Sequence, residues 1–128
     1  MVHAPTGSLP SSIVAGASTG HRPLEDLLSV IIPIRNGAAT IGRCLEAALA
    51  SRHGNFEIVV VDDASADASV EVIGGYPCNL VRLAQHEGAA RARNVGASRS
   101  RGRFLFFTDA DCLLQQDTLV LAAAALAA

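Results

Sequence analysis

The sequence predicts an α/β domain with a mainly parallel sheet and helices on both faces. Leu28–Ile34 (LSVIIPI) and Phe56–Asp62 (FEIVVVD) are short, apolar and β-branched, the profile of strands buried on both faces. Segments of helical spacing alternate with such runs along the chain, which is the pattern of successive βα units. Polar residues, including two pairs of carboxylates, stand where the strand runs stop.

Each element follows from local chemistry. After the first strand, Thr40–Ser51 carries Ile41, Leu45, Ala48 and Leu49 at helical spacing, with Gly54 just beyond its end. The second strand, Phe56–Asp62, gives way to a short helix bearing Val70 and Ile73. Ser65 or Asp67 is its expected cap, and Gly74, Gly75 and Pro77 close it. Leu80–Ala84 reads as a third, weaker strand, and Ala89–Ser100 as a third helix with Arg on one side and Ala on the other. Gly102 turns the chain into the fourth strand, Phe104–Thr108, which meets Asp109. Asp117 and Thr118 start a fourth helix.

The 128 residues suffice for one domain. Half are apolar and 17% charged, which excludes a disordered chain. The net charge of −2 gives no electrostatic case for nucleic acid. Residues 1–27, rich in Ser, Thr, Gly and Pro, are expected as a flexible leader without the basic and apolar regions of a signal peptide, and residues 28–128 as the domain. Leu119–Ala128 is an apolar run of ten residues, where a membrane span needs about 20, so no span is expected. Cys44, Cys78 and Cys112 form no CxxC, which speaks against a zinc knuckle or disulfide framework and for a reducing, cytoplasmic compartment.

In parallel sheets ligands bind beyond the carboxyl ends of the strands. Those ends here are Pro33-Ile34-Arg35-Asn36-Gly37, Asp62-Asp63-Ala64-Ser65, Gln85-His86-Glu87-Gly88 and Asp109-Ala110-Asp111-Cys112. Carboxylates at i and i+2, as in Asp109 and Asp111, can share one hard cation and leave positions for water and phosphate oxygens. Asp62 suits a loop cap, whereas Asp63 is aimed at the crevice, where a carboxylate accepts from a base N–H or a ribose hydroxyl. Gly88–Gly96 opens a helix whose start can hold anionic groups, and Arg91 or Arg93 can reach a diphosphate. His86 reads as a loop residue, with a ligand role as the lesser alternative, Cys44 and Cys78 as small apolar fillers, and Cys112 as an incidental neighbour of the site. No GxGxxG and no P-loop is present.

Taken in order, SVIIPIRN (Ser29–Asn36), EIVVVDDASAD (Glu57–Asp67), GAARARNVGAS (Gly88–Ser98) and GRFLFFTDADC (Gly102–Cys112) resemble the amino-terminal half of a family 2 glycosyltransferase with the Rossmann-like GT-A fold. The resemblance implies sugar transfer from a nucleotide-sugar donor, most often a UDP-sugar, with Mg²⁺ or Mn²⁺, to an acceptor that the sequence does not identify. It implies that Pro33, Ile34, Arg35 and Asn36 line the nucleobase pocket and that Asp63 hydrogen-bonds the base. Asp109 is expected near ribose and metal, Asp111 on the metal, and Arg91 or Arg93 on the nucleotide. An aromatic residue commonly stacks on the base where Arg35 stands; here a guanidinium plane takes its place. No catalytic residue is expected in this chain, because the family's base follows the DxD motif at a distance that puts it past Ala128. The chain is thus expected to be incomplete, inactive alone and prone to associate through Leu119, Leu121 and Leu126. Peripheral contact with the inner face of the membrane is open to it. The alternative readings are a non-catalytic nucleotide-sugar-binding module and a metal-dependent nucleotidyltransferase or phosphatase.

Overall fold

The computed structural model describes residues 26–127. Its elements are β1 (Leu28–Ile34), α1 (Ile41–Leu49), β2 (Phe56–Asp62), α2 (Ser69–Ile73), β3 (Asn79–Arg82), α3 (Ala89–Arg99), β4 (Phe104–Phe107) and α4 (Thr118–Ala127). The strands form one parallel sheet in the order β3-β2-β1-β4. Register runs from Leu28 opposite Phe56 to Ile34 opposite Asp62, so the central strands end level and both deliver their next residues to the same rim.

Alternation of side chains divides the core in two. Val30, Ile32, Ile34, Ile58 and Val60 join Ile41, Leu45, Ile73 and Leu119 beneath α1, α2 and α4. On the opposite face Val59 and Val61 meet Ala92 of α3. Gly96 lets α3 close on the sheet, for a Cβ there would stand 2.5 Å from Ile31 Cγ2 and 3.1 Å from Val61 Cγ2. Helices therefore cover both faces, as the sequence predicts. Strand order reverses between β1 and β4, which makes their carboxyl ends the natural ligand crevice.

The amino ends of the strands are fastened by a polar clasp. Glu57, 5% exposed, accepts from Ser29 Oγ at 2.6 Å and from the Arg101 N–H at 2.6 Å. Gly102 N–H donates to Ser29 Oγ at 2.9 Å. A Cβ at Gly102 would overlap Ser29 Oγ and lie 2.7 Å from the Leu27 carbonyl oxygen, so glycine is what lets β4 start beside β1.

Several expectations change in detail. α1 is shorter than Thr40–Ser51, and β3 and β4 stop two residues and one residue earlier than expected. α3 packs on β1 and β2, leaving Leu105 and Phe107 on the far edge of β4 exposed. Leu119 is fully buried in the larger core, so the apolar surface of α4 consists of Val120, Leu121 and Leu126 without it. The expected leader lies outside the described residues except for its last two, of which Leu27 is buried. Among the described residues no helix is long and apolar enough to cross a membrane.

Candidate functional site

The rim at the carboxyl ends of the sheet is assembled from four loops. The first two are laced together, because β1 and β2 are neighbours in register. Asn36 N–H donates to Ser65 Oγ at 2.8 Å, and Ala66 N–H returns a bond to Asn36 Oδ1 at 2.7 Å. Gly37 N–H donates to Ser69 Oγ at 2.9 Å and Ala38 N–H to Asp67 Oδ2 at 3.1 Å. Asn36 takes a φ of 55°, a left-handed conformation that Asn tolerates well, and Ala64 takes one of 58°.

Asp67 and Ser65 are thus diverted from the capping role that the sequence assigns them. The N-cap of α2 is Ala68, with no side-chain cap. Asp67 Oδ1 still accepts from Ser69 N–H and Oγ at 2.9 and 2.6 Å. The Ser69 hydroxyl foremost, with the Ala38 and Ser69 N–H groups, holds the Asp67 carboxyl below its ordinary range. Asp62 caps its loop as expected, accepting from Ser65 N–H at 3.1 Å, while its buried Oδ1 has no partner among the described residues.

Asp63 follows, its N–H bonded to the Ile34 carbonyl at 2.8 Å. Its side chain is 4% exposed and committed inside the protein. Glu87 N–H donates to Oδ1 at 2.7 Å, Gly88 N–H to Oδ2 at 2.9 Å, and His86 Nδ1 stands 2.7 Å from Oδ2. Burial works to raise its pKa, but these three donors outweigh it and hold the carboxyl below the ordinary 3.8. Sequence reasoning aims Asp63 at an open crevice; the fold turns it onto the β3–α3 loop, which it anchors. His86, read from sequence as an ordinary loop residue, is the side chain that emerges there, 54% exposed.

The structure places the two candidate arginines in different surroundings. Arg91 is exposed and pairs with Glu87 one turn earlier at 3.2 Å. Arg93 lines an open cavity of about 470 Å³ with Phe107, Thr108, Asp109 and Cys112. Pro33 is half-buried and Ile34 buried under the rim, while Arg35 and Asn36 are exposed on it.

Asp109 and Asp111 lie beyond β4, both exposed, with no side-chain hydrogen bond or ion pair to a described residue. The Asp109 carbonyl accepts from Cys112 N–H at 3.1 Å and from Cys44 Sγ at 3.6 Å, which ties this loop to α1. Burial, with the nearby Cys112 and acidic groups, pushes the Cys44 thiol up to about 12, so it stays protonated. Among the described residues no group of three or more His, Cys, Asp and Glu can hold a metal. Two free carboxylates fit a hard cation that takes its remaining oxygens from water and an anionic ligand, and they do not fit a closed structural site. The rim thus runs from a hydrogen-bonded wall at β3 and β2, over Arg35, to Arg93 and an acidic pair at β4.

The model of glycosyl transferase family 2 matches residues 29–128. The chain is 33% identical to glycosyltransferase GlyG of Streptococcus pneumoniae over 101 residues, covering 75% of this chain and 34% of that protein. It is 36% identical to the succinoglycan biosynthesis protein ExoO of Rhizobium meliloti, covering 72% of this chain and 27% of that one. Among solved structures, residues 1–349 of S. aureus TarS in complex with UDP-GlcNAc superpose with a TM-score of 0.72 at 30% identity, over 76% of this chain and 30% of that one. The mannosyltransferase PcManGT from Pyrobaculum calidifontis, in complex with GDP-Man and Mn²⁺, gives 0.76 at 28% identity, over 94% and 37%. The chain therefore spans about a third of the length of these proteins. These structural neighbours have the GT-A fold.

Proposed function

Because the chain belongs to glycosyl transferase family 2, we propose that it is the donor-binding part of an enzyme moving a sugar from a nucleoside-diphosphate sugar, UDP-linked, to an acceptor hydroxyl. The observation that carries this reading is the order of groups on one rim: the Asp63–His86 wall, then Arg35, then Arg93 beside Asp109, with Asp111 in the same loop. That order matches base, ribose and diphosphate laid across the strand ends. The UDP-GlcNAc and GDP-Man complexes of the two structural neighbours support a nucleotide sugar as donor. The name of ExoO favours a growing polysaccharide as acceptor.

In this reading Pro33 and Ile34 form the floor of the base pocket, and Asn36 braces its loop through Ser65 and Ala66. The Arg35 guanidinium offers a flat cation for stacking. Asp111, with Asp109, would hold Mg²⁺ or Mn²⁺; when bound, the cation neutralises charge that develops on the departing diphosphate. Arg93 adds a fixed positive charge at the same end, and Asp109 borders its cavity. Glu87 and Asp117, two further exposed carboxylates, are held by Arg91 and Arg52. The base that deprotonates the acceptor is accordingly sought outside these residues.

Calorimetry of UDP binding tests the assignment. Affinity falls sharply when Mn²⁺ is chelated, and Asp111→Asn removes most of that dependence while leaving the fold intact. Equal affinity with and without metal in the unaltered chain would refute the metal role.

A further inference from the structure

His86 stands at the base end of the rim with its ring half open to solvent. Its Nδ1 contacts Asp63 Oδ2, and its Nε2 bonds to no described residue. An ionised carboxylate only accepts hydrogen bonds, so the Asp63 oxygens require three donors around them: the Glu87 and Gly88 N–H groups and a proton on Nδ1. That contact fixes the tautomer. The neutral ring carries Nδ1–H toward Asp63 and a lone pair on Nε2 toward solvent.

We propose that His86 selects the nucleobase of the donor, its Nε2 accepting the imino N–H of a uracil- or guanine-type base. The inference rests on the donor-site reading above and adds to it the residue and the chemistry of the choice. Uracil at N3 and guanine at N1 present a donor in the middle of the pairing edge, where protein groups commonly read an unpaired base. Cytosine and adenine present a lone pair at that place, which an acceptor repels. Asp63, closed off by its three donors, acts as a positioning residue: it holds the ring and dictates which nitrogen faces the base.

The test is calorimetry of the chain with Mn²⁺ at mildly alkaline pH, using UDP, GDP, CDP, ADP and 3-methyl-UDP as probes. UDP and GDP should bind about tenfold more tightly than the other three, the effect of one hydrogen bond. His86→Asn keeps an N–H donor for Asp63 but has no acceptor at the far edge of the ring, and should bring UDP down to the level of CDP. His86→Gln, whose amide oxygen reaches the place of Nε2, should restore part of the preference. Equal binding of UDP and 3-methyl-UDP overturns the inference. So does a folded His86→Asn variant that keeps the preference, because bracing of Asp63 alone would then explain the residue. Should His86→Asn fail to fold, the 3-methyl comparison on the unaltered chain decides alone. Metal-dependent binding of all five probes without discrimination leaves the donor site standing and removes only His86. Binding of none removes both.

Discussion

Replacing Asp63 with asparagine should destabilise the domain far more than an isosteric change at a surface loop normally does. The side chain is almost fully shielded, and both oxygens are filled by donors from the β3–α3 loop. Asparagine keeps one oxygen, loses the charge and turns an NH₂ group against an N–H that has nowhere else to point. A hydrogen bond to a charged group contributes about 1.5–3 kcal/mol and a neutral one about 0.5–1.5 kcal/mol. The two bonds at Oδ2 are the ones lost, and the low end of the charged range is taken for each. The net loss is then about 3 kcal/mol, or about 12–24 °C in Tm for a domain of this size. The effect has a definite pH signature. The folded pKa of Asp63 is depressed, so its contribution is complete well above 3.8, declines as pH falls through 3.8, and is gone below the lowered value. Urea melts of both proteins from pH 7 to pH 3 read the difference, since every other carboxylate titrates in both. The same variant should weaken UDP and uridine alike, because the loosened wall is at the base end. A difference under about 1 kcal/mol at neutral pH, or one that does not shrink in acid, would refute the anchoring role.

Gly102→Ala forces a methyl into the clasp between β1 and β4, and overpacking of this kind costs about 1–3 kcal/mol; a thermal melt within error of the unaltered chain would show that β4 shifts freely. Arg93→Gln should weaken UDP about tenfold or more and leave uridine unchanged, whereas Arg91→Gln, removing an exposed pair with Glu87, should change neither; calorimetry of the four combinations separates them.

β1 and β2 were legible to the residue because a strand buried on both faces is a dense apolar run, broken here only by Ser29 and Glu57 near its start, that gives way to polar residues at its end. The four strand ends follow from the same runs, which is why Asp63, Asp109 and Asp111 stand out without a structure. β3 blurs because it is a four-residue edge strand with exposed ends and only two half-buried apolar residues between them, so no run marks its limits. The lacing of Asn36, Ser65, Asp67 and Ser69 is hidden for a different reason. Its partners lie about thirty residues apart, and only the level ends of β1 and β2 bring them together. Locally Asp67 reads as a helix cap, and the longer-range demand of Ala38 prevails. The importance of His86 depends in the same way on Asp63, 23 residues earlier. Which of Arg91 and Arg93 borders the cavity beside β4 depends on the helix phase relative to β4, which periodicity in an Ala- and Arg-rich segment does not set.

The order β3-β2-β1-β4 also makes the sheet a gauge of length. Neighbouring strands lie about 4.8 Å apart, so across the sheet β2 and β4 are separated by about 10 Å and β3 and β4 by about 14 Å. Peptide hydrogen bonds set that interval, and no side chain on the rim can stretch or shorten it. On the proposed reading, substitution at His86, Arg35 or Asp111 therefore changes what each end would grip while the spacing of the strands stays constant. A ligand gripped at both ends cannot slide to improve one at the expense of the other. Preference for the base and affinity for the charged group can then diverge independently in the descendants of such a chain.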